Sequence, residues 1–114
     1  MSTTTRQGLI PQETIDRAAQ LLLEAAPKGS EVILFGSYAR GNAAEHSDVD
    51  FLVLEPYVNG QRREMVRLRE VLRPLRIPVD VLVVSFEGFE AWKSQVNTIP
   101  HEANRAGRRY RHAG

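Results

Sequence analysis

The sequence predicts an α+β domain in which a small mixed β-sheet of three to four strands is flanked by helices. Three short apolar runs, residues 32–35, 51–54 and 81–84, have the length of buried strands. The segments around these runs repeat apolar residues at the three- and four-residue spacing of helices. No linker or internal repeat divides the 114 residues, so we expect a single domain over residues 1–114.

The first helix is predicted to begin at Pro11 and to continue to about Ala26. Proline followed by an acidic residue is typical of a first helical turn. The apolar residues at helical spacing in this segment are Ile15, Ala18, Ala19, Leu22 and Leu23. The breaker residues 27–29 end the helix, and Val32 to Phe35, which stop at Gly36, are predicted to form a buried strand.

The central part of the chain predicts a short turn, a loop and a second strand. Ser37 to Gly41 are expected to form one helical turn, and the polar residues 42–47 to form a loop. The second strand is predicted over Asp48 to Leu54, followed by a loop over residues 55–60.

The remaining elements alternate in the same way. Residues 61–75 are predicted to be helical and residues 79–84 to form a third strand. Two further helices are expected over residues 86–93 and 100–106, the last one stopping at Gly107. The predicted apolar face of the 61–75 helix is formed by Met65, Leu68, Leu72 and Leu75.

The composition indicates an ordinary globular protein, with 42% hydrophobic and 25% charged residues and no cysteine. None of the apolar runs is long enough to span a bilayer, and the polar residues 1–9, which we expect to be flexible, lack the apolar core of a signal peptide. We therefore expect a cytoplasmic protein without membrane contact. The net charge of +1 gives no reason to expect direct nucleic-acid binding.

Arginine carries most of the positive charge, and arginine binds phosphate or carboxylate in bidentate geometry. The cluster within residues 62–76 is interleaved with glutamates and is predicted to be the solvated face of a helix. The cluster within residues 105–111 leads into an expected basic tail over residues 108–114. This tail either keeps the protein in solution or faces an acidic partner.

Three aspartates lie in predicted strands, where acidic residues are rare because an ionised carboxylate near a core is costly. Asp48 and Asp50 are separated by one residue, so an extended strand directs both side chains to the same face. Asp80 begins another apolar strand, and the three carboxylates converge if the two strands are neighbours. Such a cluster suits Mg²⁺ or Mn²⁺, whereas strand-end capping or pairing with arginine would explain Asp48 but not Asp50 and Asp80.

The second feature is Gly36-Ser37, which follows a strand and precedes a helical turn. Glycine allows the backbone to approach a phosphate closely, and the serine hydroxyl adds a hydrogen-bond donor. The segment is not a P-loop, because it lacks the Gly-Lys-Ser/Thr ending. Glycine also ends strands for steric reasons, so this pair gains significance only from its distance to the acids.

Together, the run Gly36-Ser37-Tyr38-Ala39-Arg40-Gly41 and the following Ser47-Asp48-Val49-Asp50-Phe51 resemble the defining motif of the DNA polymerase β-like nucleotidyltransferase superfamily. The stretch from Ser37 to Gly41 resembles the small stand-alone branch of minimal nucleotidyltransferases, which includes antitoxins paired with HEPN-domain toxins. The resemblance is strongest over residues 32–54 and looser up to Tyr110. Arg108-Arg109 depart from the pattern, which has apolar residues there.

This resemblance implies the polymerase β-like fold and a Mg²⁺-dependent transfer of an NMP, here AMP from ATP, to a hydroxyl acceptor. The acceptor that it implies is a partner HEPN toxin, which makes the chain an antitoxin. The site residues that it implies are Gly36, Ser37 and Arg40 for the nucleotide, and Asp48, Asp50 and Asp80 for catalysis and for two metal ions, Mg²⁺ or Mn²⁺.

Two alternatives remain open at this point. Besides the transfer to a partner toxin, the chain could be an antitoxin that neutralises its partner by binding without catalysis. It could also be a subunit of a small-molecule transferase of the aminoglycoside-modifying kind. The relatives of that second kind carry an additional acceptor domain, for which little chain follows Asp80. The sequence also leaves open whether the chain forms a homo-oligomer.

Overall fold

The computed structural model describes residues 9–112, so most of the N-terminal segment expected to be flexible lies outside the described residues. Helices and strands alternate along the chain much as the sequence predicts. In chain order, the elements are α1 (Gln12–Ala25), β1 (Glu31–Phe35), α2 (Ser37–Arg40), β2 (Val49–Glu55), α3 (Gln61–Val71), a 3-10 turn (Arg73–Leu75), β3 (Val79–Ser85), α4 (Phe86–Trp92), α5 (Ile99–Ala106) and β4 (Arg108–Arg111). Within residues 9–112, no helix is both long and apolar enough to cross a membrane.

The four strands form one mixed sheet in the order β3-β2-β1-β4. Strand β1 is antiparallel to both β2 and β4, whereas β2 and β3 are parallel. Parallel neighbours need a crossover connection, which α3 provides between β2 and β3. The prediction of an α+β domain with a small mixed sheet is confirmed.

Helices cover both faces of the sheet, and alternate strand residues point to different helices. On one face, α1 and α3 pack on a core that includes Val32, Phe51 and Val81. On the other face, α4 and α5 pack on a smaller core that includes Ile33 and Leu52. This second face carries Asp50, because Asp50 lies between Val49 and Phe51 of the first face.

The C-terminal region corrects one prediction. The sequence predicts a basic tail over residues 108–114, but Arg108–Arg111 form β4, the edge strand beside β1. At the preceding Gly107, a Cβ atom would lie 3.0 Å from the Leu34 carbonyl oxygen and would overlap Ile33, so glycine allows α5 to turn closely into β4. The side chains of β4 do not alternate between apolar and polar residues, so the sequence does not indicate a strand here. Backbone pairing with β1 stabilises β4 instead.

The arginines of β4 also form ion pairs within the domain, so they are less available to a partner than arginines of a free tail. Arg109 Nη1 lies 3.0 Å from Glu31 Oε1, and Arg111 Nε lies 3.1 Å from Glu31 Oε2. The Tyr110 hydroxyl donates a hydrogen bond of 2.8 Å to Asp16 Oδ1 and thereby connects β4 to α1. Much of the basic cluster therefore serves contacts within the domain.

One carboxyl group, that of Glu55 at the end of β2, is buried with only 2% of the residue exposed. Burial raises the pKa of Glu55 to about 8, and the hydrogen bond to Glu64 on α3 acts in the same direction. Hydrogen bonding from Arg67 instead lowers the pKa of Glu64, and Arg67 also donates to the Ala25 carbonyl oxygen at 2.9 Å. A protonated Glu55 that donates to an ionised Glu64 thus connects β2 to α3.

Candidate active site

Asp50 and Asp80 are direct partners across the parallel strands β2 and β3. Partners in adjacent strands project their side chains to the same face, so the two carboxylates are neighbours. Asp48 precedes β2 by one residue, and its charge acts on Asp50. The condition that the sequence leaves open, that the two acid-bearing strands are adjacent, is met.

The buried residues of the opposite face determine this arrangement. Val49, Phe51 and Val81 are all 0% exposed and alternate with the acids along the two strands. A slip of the register by one residue would place the aspartates in the apolar core and these three residues outside it. Core packing on one face of the sheet therefore determines the acid cluster on the other.

The pKa of Asp50 is perturbed by burial and by the neighbouring charges. Desolvation by burial raises the pKa of Asp50 to about 6, and the charges of Asp80 and Asp48 act in the same direction. Arg40 opposes this rise. Asp80 is less confined, because its side chain is 49% exposed and its Oδ1 lies 3.7 Å from Arg69 Nη2.

The Gly36 turn packs directly against the Asp50 carboxylate. Gly36 joins β1 to α2 with φ 80° and ψ −159°, a conformation that residues with a side chain rarely adopt. A Cβ atom at this position would overlap an oxygen of Asp50 and lie 3.2 Å from its Cγ. The backbone thus approaches the acid closely at this turn, and this approach requires glycine.

Ser37 and Arg40 begin and end the single turn α2. The Ser37 carbonyl oxygen accepts hydrogen bonds from the N–H groups of Gly41 at 3.0 Å and Asn42 at 3.1 Å, so the backbone after the glycine is held in place. Ser37 is half-buried and Arg40 is exposed beside it. All six predicted site residues therefore lie at the β1–α2 turn or at the adjacent starts of β2 and β3.

Two residues that the sequence does not single out also border the site. Glu102 on α5 forms an ion pair with Arg40 and adds its negative charge near Asp50. Arg69 reaches Asp80 from α3. Glu102 is 62 positions away from Arg40, and no local pattern relates the two, so only the fold reveals this contact.

The donor set fits a divalent cation of the Mg²⁺ class by its chemistry. Asp48, Asp50 and Asp80 offer hard carboxylate oxygens, and the raised pKa of Asp50 reflects burial and mutual repulsion that a cation would offset. Within the described residues 9–112, no three acidic or histidine side chains are gathered closely enough to enclose an ion.

The chain is similar to known proteins in sequence and in fold. The chain matches the family model of the nucleotidyltransferase domain over residues 15–103. No curated protein matches the sequence.

Two solved structures have a similar fold. One is a chain in a crystal structure of a toxin–antitoxin with AMP-PNP, with a TM-score of 0.62 and 21% identity over 90% of this chain and 75% of that chain. The other is a Sulfolobus solfataricus protein assigned as a nucleotidyltransferase, with a TM-score of 0.53 and 24% identity over 69% of this chain and 70% of that chain. The family match covers most of the sequence and includes the glycine turn and all three aspartates, so this chain belongs to the nucleotidyltransferase domain family.

Proposed function

We propose that this protein is a Mg²⁺-dependent nucleotidyltransferase that moves AMP from ATP to a hydroxyl group of a partner protein. The partner in this proposal is a HEPN-type toxin, and the chain is its antitoxin. The observation that carries the proposal is the pairing of Asp50 with Asp80 beneath the Gly36 turn. Family membership supports nucleotidyl transfer, and the fold similarity to a toxin–antitoxin chain crystallised with AMP-PNP supports the choice of nucleotide and partner.

In this proposal the β1–α2 turn binds the phosphates. The Gly36 backbone lies against the Asp50 carboxylate, so phosphates bound at this turn would lie next to the acids, and the Ser37 hydroxyl donates to a phosphate oxygen. Arg40 supplies a guanidinium whose paired N–H groups match two phosphate oxygens. These contacts hold the α-phosphorus in front of the acid cluster, and such positioning supplies much of the rate in phosphoryl chemistry.

In this proposal the aspartates bind the metal and orient the acceptor hydroxyl. Asp48, Asp50 and Asp80 would hold Mg²⁺, which when bound neutralises the phosphate charge that develops during transfer. Asp80 orients the acceptor hydroxyl and takes up its proton as the oxygen bonds to the α-phosphorus. The bond from the α-phosphorus to the bridging oxygen breaks, and pyrophosphate leaves on the side of the β1–α2 turn.

The position of Asp80 supports a macromolecular acceptor. Asp80 lies on β3, an edge strand of the sheet, and its side chain is 49% exposed. A hydroxyl on the surface of another protein reaches such a carboxylate without entering a deep pocket. Transfer of AMP would add a bulky negative charge to that surface, and we infer that the reaction takes place in the cytoplasm, where ATP is available.

A second candidate, neutralisation by binding alone, needs a surface for the partner, and exposed apolar side chains provide one. Trp92 is 56% exposed and Val96 is 70% exposed, on the α4–α5 side of the sheet that also carries the acids. Exposed apolar residues of this kind are typical of surfaces that bind another protein. Such a surface serves both candidates, so only the chemistry separates them.

The experiment is to incubate the full chain with Mg²⁺, ATP and the protein that co-purifies with it, and to weigh that partner by intact mass spectrometry. We expect a gain of one or more AMP units with the wild type and no gain with Asp50→Asn. A tight complex whose partner keeps its mass under these conditions would reject transfer and support neutralisation by binding.

A further inference from the structure

A cleft of about 590 Å³ lies between α2 and α5. Its volume lies within the range of small-molecule sites, about 300–1,000 Å³. Arg40 forms the wall on the side of α2, and Glu102 and Arg105 line the side of α5. Arg40 ends α2, and the Gly36 turn that begins this helix packs on Asp50, so the cleft borders the proposed phosphate site.

The cleft is lined by two arginines and a single carboxylate. Arg40 and Arg105 are both exposed, and Glu102 is the one acidic residue among the lining side chains. His101 also lines the cleft, but its Nδ1 lies 3.0 Å from the Lys93 carbonyl oxygen and donates to it. Arg40 and Arg105 therefore provide charged N–H groups that can bind an anion in this cleft.

Glu102 already occupies the place of such an anion. One of its carboxylate oxygens pairs with Nη1 of Arg40, with the two side chains 38% and 44% exposed. Exposed ion pairs stabilise a protein by only about 0–1 kcal/mol, so a more highly charged group can displace this one. A phosphate carries more charge than a carboxylate and pairs with the same guanidinium in bidentate geometry.

The ion pair is not needed to hold α5 in place. Ala103 is buried against β1 residues in the core of the second face, and Thr98 caps the helix by accepting a hydrogen bond from the His101 N–H at 3.2 Å. Gly107 then fixes the close turn into β4. These contacts position α5 independently of Glu102, which leaves its contact with Arg40 free to open.

We propose that this cleft binds the terminal phosphates of the nucleoside triphosphate between Arg40 and Arg105, and that Glu102 occupies their position when the nucleotide is absent. The inference rests on the proposed function and names the part of the substrate that α5 recognises. Glu102 is then an internal competitor of the substrate. Its displacement frees Arg40 only when a triphosphate arrives, so the cleft favours ATP over AMP.

The test is isothermal titration calorimetry of the full chain in Mg²⁺ with ATP and, separately, with AMP. Glu102→Gln keeps the side-chain size but removes the charge, and we expect about threefold to tenfold tighter ATP binding with AMP binding unchanged. Arg105→Gln is expected to weaken ATP binding about fivefold to tenfold, again without an effect on AMP. The matched controls are Glu87→Gln and Arg62→Gln, which change exposed residues outside the cleft.

A double variant, Arg40→Gln with Glu102→Gln, separates competition from a general change of charge. If Glu102 acts by occupying Arg40, its removal has no further effect once Arg40 is gone. The inference is overturned if Glu102→Gln weakens ATP binding, or if Arg105→Gln changes ATP and AMP binding equally. Absence of any ATP binding by the wild type would instead reject the proposed function itself, and the inference with it.

Discussion

Replacing Glu55 by glutamine tests the proton shared between β2 and α3. The pKa of Glu55 is about 8 in the folded chain, against 4.5 for an unperturbed glutamate, because the carboxyl group is buried. Between these two values the folded state keeps a proton that the unfolded state releases. The contribution of Glu55 to stability is therefore fully present below pH 4.5 and is lost as the pH rises towards 8.

The magnitude follows from the two pKa values. Each pH unit between them lowers the free energy of unfolding by roughly 1 kcal/mol, so the loss between pH 5 and pH 7 is on the order of 2 to 3 kcal/mol. Local relaxation and entry of water reduce this to about 2 kcal/mol. Glu64 does not contribute in this interval, because its lowered pKa of about 2 confines its effect to pH values below 4.5.

The assay is urea unfolding at pH 5, 6 and 7, followed by circular dichroism. Glutamine cannot ionise and its amide donates to Glu64 as a protonated Glu55 does, so Glu55→Gln should lose about 2 kcal/mol less stability than the wild type over this range. Glu45→Gln, in an exposed loop, is the matched control and should follow the wild type. Equal pH dependence of wild type and Glu55→Gln would refute the buried, protonated state of Glu55.

Three further predictions concern the site. Asp50→Asn should retain the fold, lower transfer by about 100-fold or more, and remove the increase in Tm that ATP with Mg²⁺ gives the wild type in differential scanning fluorimetry. Gly36→Ala should destabilise the chain by more than about 1 kcal/mol in urea unfolding, because its Cβ overlaps Asp50 and its φ is 80°; unchanged stability would mean that the turn does not pack on the acid. Arg40→Ala should weaken ATP binding in calorimetry at least about fivefold more than Arg62→Ala, which removes an exposed charge on α3. Equal effects of the two arginine variants would contradict a phosphate contact at Arg40.

Local patterns in the sequence determine much of the site. The alternation of Asp48 and Asp50 with Val49 and Phe51 places two acids on one face, because side chains of a strand alternate between its two sides. The glycine after β1 indicates a close approach of the backbone, and the structure shows the approach to Asp50. Helix positions follow from apolar spacing, with boundaries within a few residues of those observed.

The sequence by itself thus determined which segments are helices, which are the three apolar strands β1, β2 and β3, and which residues are candidates for the chemistry, because these depend on near neighbours in the chain. Only the tertiary structure decided that β3 lies beside β2 in the register that pairs Asp80 with Asp50. It also decided that Glu102 faces Arg40 and that residues 108–111 complete the sheet as β4. These contacts join segments far apart in the chain, and they are set by packing on both faces of the sheet, which no local pattern encodes.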